Sequence, residues 1–167
     1  VKRGKESLSS VQISGAEPVI AEIDKLDISQ GRYFSPPEND NAARVAYIGM
    51  DVSKKQFPQG DSLGQEITIS GIPYKIIGVQ TAKGTVFGQP QDNFVTLPIK
   101  TFGSAFGGLR NQRAPYFVIT AKNEKTFNDA VEEVRTLMRI KRKIPFGEKD
   151  TFGILTPDAI TGIRDRI

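Results

Sequence analysis

Few side chains in this sequence could carry chemistry. The 167 residues include no Cys and no His, which removes thiolate nucleophiles, thiolate and imidazole metal ligands and the commonest general base. Hydroxyls, amines and carboxylates remain. Ser53 and Ser104 become nucleophiles only beside a base, and Lys54, Lys55 and Lys83 leave a Ser–Lys dyad open. Acid–base catalysis or an oxygen-ligated cation needs two or more carboxylates that converge. Asp51 and Asp61 flank one short predicted helix, Asp92 ends a loop, and Glu132 and Glu133 are neighbours that point apart on another helix. Caps, turns and solvated faces account for all of these.

Phosphate chemistry has no better footing. Gly49, Gly60 with Gly64, and Gly103 with Gly107 and Gly108 lack the spacings that let consecutive backbone N–H groups cradle a phosphate. They read as turns. The sharpest charge feature is Arg135, Arg139, Lys141, Arg142 and Lys143. Cations near a helix C-terminus are favoured by its dipole and keep its outer face solvated; contact with phospholipid head groups or an acidic partner is the functional alternative. No aromatic residues interleave with the cluster and no recognition motif accompanies it, so nucleic acid is not an expected partner.

The elements that must position these groups follow from periodicity. A net charge of +4, 38% apolar and 25% charged residues describe a folding globular chain. No window approaches the roughly 18 apolar residues of a membrane span, and no signal-peptide core follows Val1. A chain that opens on a charged segment without Met is expected to be an excised or processed piece. Val11 to Ser14 reads as a strand whose partner is expected upstream of Val1. Pro18 opens a short helix with Val19, Ile23 and Leu26 on one face, and Ser35 to Asn41 reads as a loop. Val45 to Ile48 is a buried strand and Val52 to Phe57 a short helix. Glu66 to Ser70 and Tyr74 to Val79 form a hairpin across Gly71-Ile72-Pro73. Thr81 to Asp92 reads as a long flexible loop before the strand Phe94 to Leu97.

Toward the C-terminus, strands are expected at Pro115 to Thr120 and Thr151 to Thr156. Between them Phe127, Ala130, Val131, Val134, Leu137 and Met138 mark one face of a helix with Asn123 as N-cap. Ala159, Ile160, Ile163 and Ile167 begin a further amphipathic stripe.

An ordered run of short motifs resembles the MacB-type permease domains. Leu26 with Gly31-Arg32-Tyr33-Phe34 is similar to their L…GR-x-F segment, and Val45-Ala46-Tyr47-Ile48-Gly49 follows an acidic loop as it does there. Gln56-Phe57-Pro58 and Asp61-Ser62-Leu63-Gly64-Gln65-Glu66-Ile67 are similar to LFP…DPIG-x-x-I, with Gln56 and Ser62 departing from the usual Leu and Pro. Tyr74-Lys75-Ile76-Ile77-Gly78-Val79 is similar to F-x-V-V-G-V, and Gly84, Gly88, Asp92 and Leu97-Pro98 come after it.

The resemblance implies an α+β fold of two subdomains: a βαβ-containing porter-like part, residues 1–40 and 112–157, interrupted by a mostly β sabre-like part, residues 41–111. Residues 158–167 would begin a stalk helix toward a transmembrane helix. It implies a non-catalytic relay on the periplasmic side of the bacterial inner membrane, without a cofactor of its own, ATP being bound by a separate cytoplasmic domain or subunit. Implied partners are a second permease copy, that ATPase and a periplasmic adaptor. The loop residues Lys83, Thr85, Phe87, Gln89 and Gln91 are the expected partner contact. Two other classes stay open: a soluble enzyme with a carboxylate- or lysine-based site between subdomains, and an adhesion or substrate-capture module.

Overall fold

A computed structural model describes residues 1–3, 6–8, 10–86, 88–107 and 116–157. It divides into two compact units, Val1–Val118 and Ile119–Ile167. The fold is mixed α+β.

In the first unit the strands are β1 (Lys2–Arg3), β2 (Glu6–Ser7), β3 (Gln12–Ala16), β4 (Ile28–Gly31), β5 (Val45–Ile48), β6 (Glu66–Ile69), β7 (Ile72–Gln80), β8 (Thr85–Val86), β9 (Gln89–Pro90) and β10 (Phe94–Pro98). The helices are α1 (Ile20–Ile23), α2 (Pro36–Asp40), α3 (Met50–Gln56) and α4 (Ile99–Ala105). One mixed sheet runs β2-β1-β6-β7-β5-β10-β3, with β4 also on β7, while among the described residues β8 and β9 pair only with each other. Side chains alternate across the pleat, so β5 feeds two cores. Ala46 and Ile48 join Val52, Phe57, Ile67, Ile69, Tyr74, Ile76, Val79, Val95 and Leu97 on one side. Tyr47 points into an aromatic cluster with Tyr33 and Phe34 on the other.

Local chemistry explains the tight points. Ser70 and Gly71 both take positive φ, 50° and 85°, the geometry of a two-residue hairpin turn whose twist matches the flanking strands. The turn is therefore shorter than Gly71-Ile72-Pro73, and Ile72 and Pro73 pair with Ile69 and Thr68. The Pro36–Asp40 segment is a helix rather than a loop. The Ser35 backbone N–H and hydroxyl both donate to Glu38 Oε2, at 2.8 and 2.9 Å, and prolines occupy the first helical positions, where a missing N–H costs nothing.

In the second unit Asn123 Oδ1 accepts the Thr126 N–H at 3.1 Å and caps a 3-10 turn, Glu124–Thr126, that runs into α5 (Phe127–Lys141). Asp150 then accepts from Arg135 and Arg139 at 2.6 and 2.5 Å. Arg142 donates to the Thr151 carbonyl at 2.7 Å.

Several expectations need correction. β3 has a partner within these residues, β10, in parallel register from Gln12↔Phe94 to Ala16↔Pro98. The helix after Pro18 is a single turn, because the chain turns at Asp24–Lys25, with Lys25 at φ 46°, and re-enters the sheet as β4. Residues 116–120 and 151–155 form no strand; a strand exists only by sharing a ladder, and neither segment shares one among the described residues. One sheet holds strands from both sides of residue 41, because β3 and β4 are bonded to β10 and β7. The stripe from Ala159 to Ile167 lies outside the described residues.

Candidate functional site

The segment Thr81 to Asp92 is an antiparallel hairpin, with Thr85 opposite Pro90 and Val86 opposite Gln89. Three tethers fix its base. The Thr81 N–H donates to the Asp27 carbonyl at 2.9 Å, and the Gln91 N–H to the Gly84 carbonyl at 2.9 Å. Asp92, only 3% exposed, turns its carboxylate on the entering strand: the Lys83 N–H donates at 2.9 Å and the Gly84 N–H at 2.7 Å. Hydrogen bonds to a charged acceptor are about twice as strong as neutral ones, so a buried carboxylate with two backbone donors is a firm clamp.

Asp92 also fixes the hairpin to the core. Its carbonyl accepts the Asp51 N–H at 3.1 Å at the start of α3, and the carbonyl lies so close to Gly49 that a Cβ there would collide with it. The strand–helix turn at Gly49 therefore needs glycine for space.

Of the expected contact residues, Lys83, Thr85, Gln89 and Gln91 are all exposed and gathered on this hairpin beside the half-exposed Val86; Phe87 lies outside the described residues. Lys83 is the one ionisable side chain from Thr81 to Gln91. The Gln91 amide donates to the Gln89 carbonyl at 3.0 Å, which stiffens the outgoing strand. Such a surface offers hydrogen bonds, one cation and a small apolar area, which suits binding another molecule.

The residues considered for bond-making chemistry are placed differently. The Ser53 and Ser62 hydroxyls bond to each other at 2.7 Å in a buried position, and the Ser104 hydroxyl donates to the Lys100 carbonyl at 2.9 Å. Glu132 pairs with Arg135 along α5. Among the described residues no three Asp or Glu side chains gather as a metal site would require. Arg135 and Arg139 of the basic cluster are bound to Asp150, whose carboxyl they hold below the usual carboxylate range.

Sequence reasoning missed a second ordered group. Arg32 forks onto Glu38, Nη1 to Oε2 at 2.7 Å and Nη2 to Oε1 at 2.8 Å. The guanidinium, then the Ser35 donors, pull the Glu38 carboxyl down to about 2. Ser35-Pro36-Pro37-Glu38 carries the S-x-x-E spacing that signals such a cap. In the aromatic cluster, burial pushes the Tyr47 phenol up to about 12 and raises Tyr33 as well.

The model for the MacB-like periplasmic core domain matches residues 1–137. The chain belongs to the MacB-like periplasmic core domain family. That span includes the hairpin, the Arg32–Glu38 group and most of α5. A Pseudomonas aeruginosa pyoverdine export ATP-binding/permease protein is 30% identical over 75% of this chain and 19% of its own length. A Rhodospirillum rubrum macrolide export ATP-binding/permease protein is 29% identical over 86% of this chain and 22% of its own. The chain thus spans about a fifth of the curated relatives it matches. The solved periplasmic region of MacB from Actinobacillus actinomycetemcomitans has the same fold, with a TM-score of 0.79 at 18% identity over 98% of this chain and 70% of that one. The extracellular domain of the noncanonic ABC-type transporter YknZ from Gram-positive bacteria gives 0.66 at 18% identity over 85% of this chain and 68% of that one. In this MacB-like domain no helix among the described residues is long and apolar enough to cross a membrane.

Proposed function

We propose that this domain is the periplasmic part of an export-type ABC permease of the bacterial inner membrane and passes ATP-driven motion to a substrate or partner outside the cytoplasm. The observation that carries the reading is a family match over residues 1–137 combined with an exposed hairpin clamped at its base by a buried carboxylate. Motion can be delivered through a contact surface only if that surface is rigidly joined to the core. The Asp92 clamp supplies the joint.

In this reading Lys83, Thr85, Phe87, Gln89 and Gln91 meet the substrate or a periplasmic adaptor. ATP is bound by a cytoplasmic domain or subunit and the permease works as a dimer, while this domain binds no cofactor and performs no catalysis. The relatives named for pyoverdine and macrolide export favour a small exported molecule as cargo of the intact transporter.

The chain has no Cys, so Thr85→Cys introduces a unique thiol within it. In cells with a permeabilised outer membrane, a maleimide that cannot cross the inner membrane should label that thiol in the full-length permease. Labelling only after the inner membrane is broken would overturn the periplasmic placement.

A further inference from the structure

The basic cluster of α5 has no part in the relay as described so far. Arg135, Arg139 and Arg142 stand at i, i+4 and i+7, on one stripe of the helix. After the helix the chain turns, with Lys143 at φ 52° and Gly147 at φ 86°, and residues 145–152 fold back along that stripe. The links between the two are guanidinium bonds. Arg139 donates from Nη1 to the Glu148 carbonyl at 2.9 Å and to Asp150 Oδ1 at 2.5 Å, and from Nη2 to the Pro145 carbonyl at 2.8 Å. Arg135 reaches Asp150 Oδ2 at 2.6 Å. Arg142 donates to the Thr151 carbonyl at 2.7 Å and lies 5.7 Å from the centroid of the Phe152 ring. Among the described residues no backbone hydrogen bond joins residues 145–152 to α5.

This arrangement decides between the two readings of the cluster. Bonds inside the second unit occupy its three arginines, so Lys141 and Lys143 alone would be left to meet phospholipid or an acidic partner. A fork that serves several acceptors from separate nitrogens is a property of the planar guanidinium, which the compact lysine ammonium does not share. The chain path gives the fastening a use. Motion passed along the polypeptide between the first unit and the permease beyond residue 157 has to cross the turn at 143–149. A few loop residues of this kind are what absorbs motion in a hinge.

We infer that Arg135, Arg139 and Arg142, together with Asp150, are positioning residues that lock this turn, so that α5 and residues 145–152 move as one piece during transport. The inference rests on the relay reading of the domain.

The test uses the full-length permease with Glu133→Cys and Glu148→Cys as its only cysteines, each carrying a nitroxide. Glu133 is exposed on α5 and Glu148 on the folded-back segment. The width of the distance distribution between the labels reads the lock without reference to transport. Arg139→Lys keeps the charge and loses the fork, so the distribution should become at least twice as broad. With a macrolide or pyoverdine as cargo, whichever the wild type exports, the ATP hydrolysed per molecule exported should rise at least threefold. Lys141→Gln removes a neighbouring charge and should change neither quantity. An Arg139→Lys distribution as narrow as the wild type would overturn the inference, as would an equal effect of Lys141→Gln, since charge alone would then suffice. A broadened distribution with unchanged ATP per molecule exported would overturn it too. If Arg139→Lys fails to assemble, Asp150→Asn takes its place under the same expectations. Replacing the β8–β9 hairpin tests the relay alone and leaves these label distances unchanged, so failure of one reading is told apart from failure of the other.

Discussion

Gly31 and Gly78 sit opposite each other where β4 crosses onto β7. Gly31 has φ +72°, and a Cβ there would strike the Ile77 carbonyl and reach the Leu63 side chain at 2.6 Å. A Cβ on Gly78 would overlap the Arg32 carbonyl oxygen and come within 3.0 Å of the Tyr47 ring. The glycines of Gly31-Arg32-Tyr33-Phe34 and of Ile77-Gly78-Val79 are thus two halves of one close backbone approach. Gly78→Ala should cost about 2–3 kcal/mol, the upper range for overpacking, and Gly31→Ala more because its φ is also unfavourable. Gly153→Ala, where a Cβ meets nothing within 4 Å, should stay within about 0.5 kcal/mol. Urea unfolding of the three variants measures the contrast.

Asp92→Asn keeps the shape of the hairpin clamp and removes its charge. The Lys83 and Gly84 N–H groups use both carboxylate oxygens, so in the variant one oxygen position becomes an NH2 group that cannot accept, and the loss should be about 1–3 kcal/mol. Hydrogen exchange should locate the loss, with the Gly84 amide speeding up at least tenfold while amides of β5 and β7 change little.

Glu38 gives the domain an acid-sensitive contact. Its carboxyl titrates near 2 in the folded chain against an ordinary 4.5. A depressed pKa contributes stability that is full above the ordinary value and lost as pH falls through the folded one. Glu38→Gln should therefore cost about 1 kcal/mol at pH 7, typical of a lost helix cap. Unfolding free energies measured across pH should show that gap closing between about pH 4.5 and pH 2.

Tyr47 is 1% exposed and its hydroxyl has no hydrogen-bond partner among the described residues. Its ring packs edge-on against Tyr33 at 4.9 Å. Tyr47→Phe keeps the ring and removes the unsatisfied oxygen, so stability should be unchanged or rise by up to about 1 kcal/mol in denaturant unfolding.

Where pairing was local, the sequence was easy to read. Strict alternation from Glu66 to Ser70 and the return from Tyr74 mark β6 and β7, and the run ending at Gly49 marks β5. Asn123 and the stripe from Phe127 announce α5. Non-local choices were hidden, because nothing within Val11 to Ser14 says that its partner lies 82 residues away, as Ser14 does opposite Thr96. Helix α2 was missed although Ser35 and Glu38 carry the cap spacing, since two prolines, Asn and Asp outweigh it in a reading by composition. At the candidate site the exposed hairpin was legible as a loop with glycines. The clamp was not, because one Asp among 19 acidic residues shows no sign in sequence that it will be buried against two backbone amides.

The most direct test of the relay compares ATP hydrolysis with export in the reconstituted full-length permease, wild type against a variant whose residues 85–90 are replaced by Gly-Ser repeats of equal length. If the hairpin is the relay's periplasmic contact, hydrolysis should stay within twofold of wild type while export falls at least tenfold. Export at the wild-type rate would contradict it.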